Sequence, residues 1–227
     1  MKTSAPLIAY HGDPLQKARY LARVRAHGKA SEIVTGLVWE NGRGSAAGCT
    51  VHSDRLEAYE AELGVPKVLA QLEDCVFEGL FSFGSPALAL AYPERFLAAI
   101  KVGAGLSLVW PKVALWMLAD GKYGMIRSSG TPRSASAIKD LAGLYQKWAN
   151  GERPAMSTLR SAERGAAWIP GVAVYGAACI AAGDILIGCH LAASAYADIA
   201  AAPYKKARGE YNRNLADRLI AVLKNTR

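Results

Sequence analysis

Pro66-Lys67-Val68-Leu69-Ala70-Gln71-Leu72-Glu73-Asp74-Cys75-Val76-Phe77-Glu78-Gly79-Leu80 decides the fold class. Val68, Leu69, Leu72, Val76 and Leu80 recur at the three- and four-residue spacing that stacks side chains on one face of a helix, while Lys67, Gln71, Asp74 and Glu78 fall on the other. A strand would reverse face at every residue and mix the two sets. The pattern predicts an amphipathic helix starting at Pro66, with its apolar side buried and its Asp74 and Glu78 carboxylates solvated.

The same signals recur on both sides of this helix. Upstream, His11-Gly12-Asp13-Pro14 opens a helix predicted to reach about Ala26. Asp13 is suited to cap free N–H groups, and Pro14 suits the first helical position because its missing donor has no partner there in any case. Asp54 starts a short helix that Leu63-Gly64 closes. Downstream, residues 81–92 mix glycine, serine and aromatics and read as a loop, with Pro93-Glu94-Arg95 starting a helix that ends near Gly103. Trp110, Val113, Leu115, Trp116 and Leu118 mark a buried helix from about Ser107, with Pro111 in its first turn. Lys122–Gly130 is a polar connection or a short hairpin. Thr131-Pro132 then begins a helix that Asn150-Gly151 terminates. From Ser157 the composition turns to alanine, punctuated by Pro170-Gly171, Gly183 and Pro203, so three or four helices fill this part. The last presents Tyr211, Leu215, Leu219, Val222 and Leu223 on one face. The expectation is an all-α, alanine-rich helical bundle, either one body or two packed lobes over 1–151 and 152–227.

A chain of 227 residues with 52% hydrophobic and 20% charged residues has enough apolar surface for one substantial core, which disfavours disorder. Cys49, Cys75, Cys179 and Cys189 form no CxxC pair, and no secretory leader precedes them, which points to reduced thiols in a cytoplasmic protein. Residues 165–183 carry no formal charge, but Pro170, the glycines and the alanines make them a buried helix rather than a membrane span. The net charge of +8 favours polyanionic partners. Its bearers gather in two places: Lys17, Arg19, Arg23, Arg25 and Lys29, then Lys205, Lys206, Arg208, Arg213, Arg218, Lys224 and Arg227. The first set is scattered around its helix and neither set accompanies a nucleic-acid signature, so nucleic-acid binding is not favoured.

Chemistry concentrates in Trp39-Glu40-Asn41-Gly42-Arg43-Gly44-Ser45-Ala46-Ala47-Gly48-Cys49-Thr50-Val51-His52, where glycines and polar side chains follow neither period. The segment reads as a site or as a demanding turn. Cys49 and His52 are the residue types of a nucleophile and its base, set against the plainer reading of a buried thiol beside a hydrogen-bonded histidine. Trp39, Glu40, Asn41, Gly42, Arg43 and Gly44 suit an anionic ligand, with a stacking face, a planar donor fork and close backbone approach; the plainer reading is a rigid turn pinned by Asn41 and Glu40. No phosphate-loop motif accompanies Gly42-Arg43-Gly44. His11, Asp13, Glu40, His52, Glu57, Glu60, Glu73, Asp74 and Glu78 are the residue types that hold divalent ions, yet no HExxH or ExxH spacing organises them, so neither metal nor cofactor is assigned.

His11-Gly12-Asp13-Pro14, Trp39-Glu40-Asn41-Gly42-Arg43-Gly44, Gly48-Cys49-Thr50-Val51-His52, Leu72-Glu73-Asp74, Phe77-Glu78-Gly79-Leu80 and Pro93-Glu94-Arg95-Phe96-Leu97 together resemble an uncharacterised family of phages and proteobacteria. The likeness covers most of the chain, including its alanine-rich end. Family members often carry cysteine where this chain has Ser45, which weakens any two-thiol chemistry. The resemblance implies a mobile-element accessory protein, a setting that suits an anti-defence role. The reading is a cytoplasmic binding or interaction protein that recognises an anionic ligand or protein partner through residues 39–52. The alternative is a hydrolase that uses Cys49 and His52 or the Glu/Asp set.

Overall fold

In the computed structural model, which describes residues 7–226, eleven α-helices and one two-stranded hairpin account for the regular structure. Arg227 lies outside the described residues. The elements are α1 (Pro14–Ala30), β1 (Trp39–Glu40), β2 (Arg43–Gly44), α2 (Ala46–Val51), α3 (Ala58–Leu63), α4 (Lys67–Phe83), α5 (Pro86–Ala99), α6 (Val109–Ala119), α7 (Pro132–Ala149), α8 (Met156–Ala167), α9 (Val172–Ala182), α10 (Ile185–Ile199) and α11 (Tyr204–Lys224). The protein is all-α. Asp13 Oδ1 accepts from the Leu15 amide at 2.8 Å with Pro14 at the first position, and Thr131 caps α7 through the Ser134 amide with Pro132 behind it. Gly64 closes α3 in the left-handed conformation.

The centre of the molecule is α4, which packs against α2, α5, α10 and α11. Leu69, Leu72, Val76 and Leu80 are buried as their spacing predicts, but Ala70, Glu73, Cys75 and Phe77 are buried as well. With neighbours on several sides, α4 has only a narrow solvent face, and the expectation that Asp74 is solvated is overturned: its carboxyl lies against α2. The last helix, α11, lies against α4, α5, α6 and α10 through Tyr211, Leu215, Leu219 and Leu223, all fully buried. Buried side chains from both sides of residue 151 form one cluster, and residue 151 itself falls in the turn between α7 and α8.

Four segments differ from their sequence reading. The short helix α3 begins at Ala58 rather than at Asp54. Residues 86–92 are helical, and α5 runs through Pro93, because Pro86 suits the first helical position and Ala87–Ala91 are good helix formers; the Ser85 side chain makes no cap hydrogen bond. The 122–130 connection is a 3-10 turn over Met125–Ser128 that buries Met125, organised by Asp120, whose Oδ1 accepts from the Lys122 and Tyr123 amides, both at 2.8 Å. The uncharged run 165–183 is divided at Pro170-Gly171 between the end of α8 and the whole of α9, with Trp168 at the corner 84% exposed. Among the described residues, no helix is long and apolar enough to cross a membrane.

Candidate functional site

The 39–52 segment is a tight hairpin leading into a buried one-and-a-half-turn helix. Asn41 and Gly42 take positive φ (51° and 82°) between β1 and β2, the geometry of a two-residue hairpin turn whose twist matches its strands. Trp39 pairs with Gly44 and Glu40 with Arg43, so Trp39 faces one side of the hairpin while Glu40 and Arg43 share the other. Asn41, Gly42 and Arg43 form the exposed tip. The sequence-predicted ligand set is therefore split between two faces.

Gly44 and Gly48 are required by clearance. A methyl on either would overlap the Val38 carbonyl oxygen, which sits against both residues and accepts from the Ser45 amide at 2.9 Å. Four amides at the hairpin-to-helix junction are already engaged. Gly44 N–H donates to the Glu32 carbonyl, Ala47 N–H to Asp74 Oδ1, Gly48 N–H to Ser45 Oγ and Cys49 N–H to the Ser45 carbonyl. Gly44 and Gly48 make room for the Val38 carbonyl, and among the described residues no side-chain hydrogen bond of Asn41 or Glu40 pins the turn.

Ser45 and Asp74 hold the N-terminus of α2 together. Ser45 Oγ donates to Asp74 Oδ2 at 2.9 Å and accepts from Gly48, and Asp74 Oδ1 accepts from Ala47 at 2.8 Å, so a carboxylate from α4 faces the positive end of a buried helix. Burial outweighs these bonds and pushes the Asp74 carboxyl up to about 6. Asp74→Ala would remove the acceptor of the buried Ala47 amide and the nearer acceptor of Ser45 Oγ, costing about 1–3 kcal/mol, which urea unfolding at pH 7 reads directly.

Cys49 and His52 do not pair. The thiol is fully buried, donates to the Gly44 carbonyl at 3.4 Å and the Glu32 carbonyl at 3.6 Å, and is pushed by burial up to about 12. A thiol held protonated has no nucleophilic form at neutral pH. His52 ends α2 in the left-handed conformation (φ 54°), which turns its ring away from the thiol and towards α1. There its Nε2 lies 2.7 Å from Nε2 of His27, and His27 Nδ1 lies 2.6 Å from Glu32 Oε2.

With both imidazoles neutral, this chain allows one proton arrangement. The Glu32 carboxylate accepts from His27 Nδ1–H, His27 Nε2 then accepts from His52 Nε2–H, and His52 Nδ1 is left with its lone pair. Trp39 stacks flat on His52, with centroids 4.6 Å apart and planes 11° apart, and His27 meets both rings edge-on. His27 is buried whereas His52 is exposed, so the relay runs from the interior to the surface. Partial desolvation, then the Arg23 guanidinium and His27, lower the His52 pKa below the ordinary histidine value.

Arg23 is the cation at the rings. Its Nη1 donates to the Thr50 carbonyl at 2.8 Å, and its guanidinium stacks over Tyr20, whose hydroxyl donates to Glu62 Oε2 at 2.7 Å. Sequence reasoning missed His27, Glu32 and Arg23. The Arg23/His27 spacing of four, which puts both on one face of α1, was the available signal.

Among the described residues, no three His, Cys, Asp or Glu side chains are grouped to hold a metal ion. The other residues weighed for that role have separate duties: His11 Nε2 lies 3.2 Å from the Ala61 carbonyl, Glu57 pairs with Lys67 at 2.5 Å, and Glu60 accepts from the Lys67 amide. No family model matches the chain, and no curated protein and no solved structure is detectably similar to it.

Proposed function

We propose that this is a cytoplasmic binding protein of the phage or mobile-element type, which recognises an anionic group on a ligand or protein partner at the rings of Trp39 and His52. The supporting observation is the Glu32–His27–His52 chain, which ends in an exposed imidazole beside Arg23. An anion set between His52 and Arg23 gives His52 a reason to take a proton that it otherwise lacks at neutral pH. Binding is thereby coupled to protonation, with Trp39 holding the ring and Glu32 balancing the charge through His27. The split hairpin favours Arg23, which acts on His52, over the exposed tip residue Arg43 as the recognising cation.

Imidazole NMR titration in inorganic phosphate tests this. Phosphate is expected to raise the His52 pKa, and His52→Gln or Arg23→Gln to weaken phosphate binding by about tenfold or more. Arg43→Ala should leave it unchanged. Identical His52 titrations with and without phosphate would remove the proposal.

The relay supports one second reading, a hydrolase in which His52 Nδ1 takes a proton from attacking water while Glu32 stabilises the cationic rings. Turnover of an activated ester by the purified protein, lost in His27→Gln with the fold intact, would replace binding by catalysis. Cys49 has no part in either scheme.

A further inference from the structure

Between α4, α10 and α11, and bordered by Gly36 of the segment that leads into the hairpin, lies a cleft of about 450 Å³. Its walls are largely apolar, with Cys75 and Gly79 from α4, Leu186 and Cys189 from α10, and Phe83 at one end. Arg208 of α11 reaches into it. Only 6% of this residue is exposed, and among the described residues no carboxylate forms an ion pair with it. Its Nη2 donates to Nδ1 of His190 at 2.9 Å, its guanidinium lies over the Phe83 ring at 3.7 Å, and its buried Nε–H has no partner.

An arginine cannot shed its charge to escape burial, so a cation in this position is costly unless an anion meets it. Glu78 also borders the cleft, but its Oε1 is taken by the Gly36 amide at 2.8 Å. The backbone around the cation is built for close approach. A methyl at Gly209 would overlap the Phe83 carbonyl oxygen, and one at Gly79 would overlap the Asn212 side chain, so these glycines let α11 settle on α4 and press the guanidinium onto Phe83. Asn212, almost fully buried, donates from Nδ2 to the Arg208 carbonyl and fixes that turn of the helix.

We infer that this cleft is a second, separate site for a small monocarboxylate with an apolar body. The carboxylate would meet the edge of the Arg208 guanidinium that lines the cleft, and the hydrocarbon would lie along Leu186, Cys75 and Cys189. An apolar wall with one fixed cation selects an amphipathic anion over inorganic phosphate, whose remaining charge would face hydrocarbon. The inference does not depend on the His52 reading.

Sodium octanoate and its uncharged counterpart 1-octanol are the probes, titrated into the full chain with calorimetry and with the Arg208 side-chain N–H resonance as readouts. Octanoate is expected to bind and to move the Arg208 Nε–H signal, with affinity falling about tenfold or more in Arg208→Met. Octanol should bind more weakly than octanoate to the native chain and be indifferent to that change. Leu186→Trp narrows the wall from a side chain that is 60% exposed, so it spares the core and should also lose octanoate binding. Failure of octanoate to bind the folded native chain, or equal octanoate affinity in the native, Arg208→Met and Leu186→Trp chains, overturns the site.

Discussion

Gly48→Ala is expected to unseat the hairpin and to destabilise the protein more than any other single-methyl addition within the 39–52 segment. The added methyl would occupy the place of the Val38 carbonyl oxygen, and neither group is the far end of a flexible side chain. Relief requires the backbone at 38–39 to move, which breaks the Ser45 amide bond to Val38 and tilts Trp39 off His52. Forcing atoms into a packed core costs typically about 1–3 kcal/mol, and occasionally more where backbone must shift. In a chain of this size each kcal/mol lowers Tm by roughly 2–4 °C, so differential scanning calorimetry should show a drop of several degrees. Tryptophan fluorescence should report the loss of the stacked ring. An unchanged Tm would mean that the hairpin does not rest on α2 as described.

Proton release on unfolding supplies the other large effect. Burial holds Glu73 well above the ordinary carboxylate range, reinforced by neighbouring Asp74 and opposed by the hydrogen bond that Tyr59 donates to it. The folded carboxyl keeps a proton that the unfolded chain gives up from about pH 4.5. Its contribution is complete below that pH and is lost as pH rises towards the folded value, at about 1.4 kcal/mol per pH unit for each proton released. Asp74 adds a second proton only between 3.8 and about 6. The lowered pKa values of His52 and His190 act in the opposite sense, removing stability as pH falls below 6.5. From pH 4.5 upward Glu73 therefore lowers stability as pH rises, in the same sense as Asp74 and against the two histidines. Urea unfolding over a pH series should show the native chain losing stability relative to Glu73→Gln as pH rises from 4.5. Parallel slopes for the two proteins would mean that Glu73 is ionised in the fold.

The helices were legible because their signals are local. The apolar spacing of α4, the Asp13-Pro14 and Thr131-Pro132 starts and the Gly64 stop each lie within one or two turns of chain. What periodicity could not supply was the number of neighbours. A stripe on one face of α4 implies an opposite face in water, yet α2 covers Asp74 there. The glycine-rich segment was legible as a demanding turn, but choosing between a ligand cradle and a carbonyl contact required knowing where Val38 lies. The relay was hidden for a related reason. His27 and His52 are 25 residues apart and meet only because His52 adopts a positive φ that its residue type does not announce.

The placement of α11 has a consequence for the order in which the molecule is completed. This last helix supplies one wall for each of α4, α5, α6 and α10, and Tyr211, Leu215, Leu219 and Leu223 are the side chains that close them. Until residues as far as 223 have left the ribosome, the nascent chain carries four helices with bare apolar flanks, so the core closes only once α11 has emerged in full. The ten earlier helices must wait as a partly open assembly that depends on chaperones or on speed to stay out of aggregates.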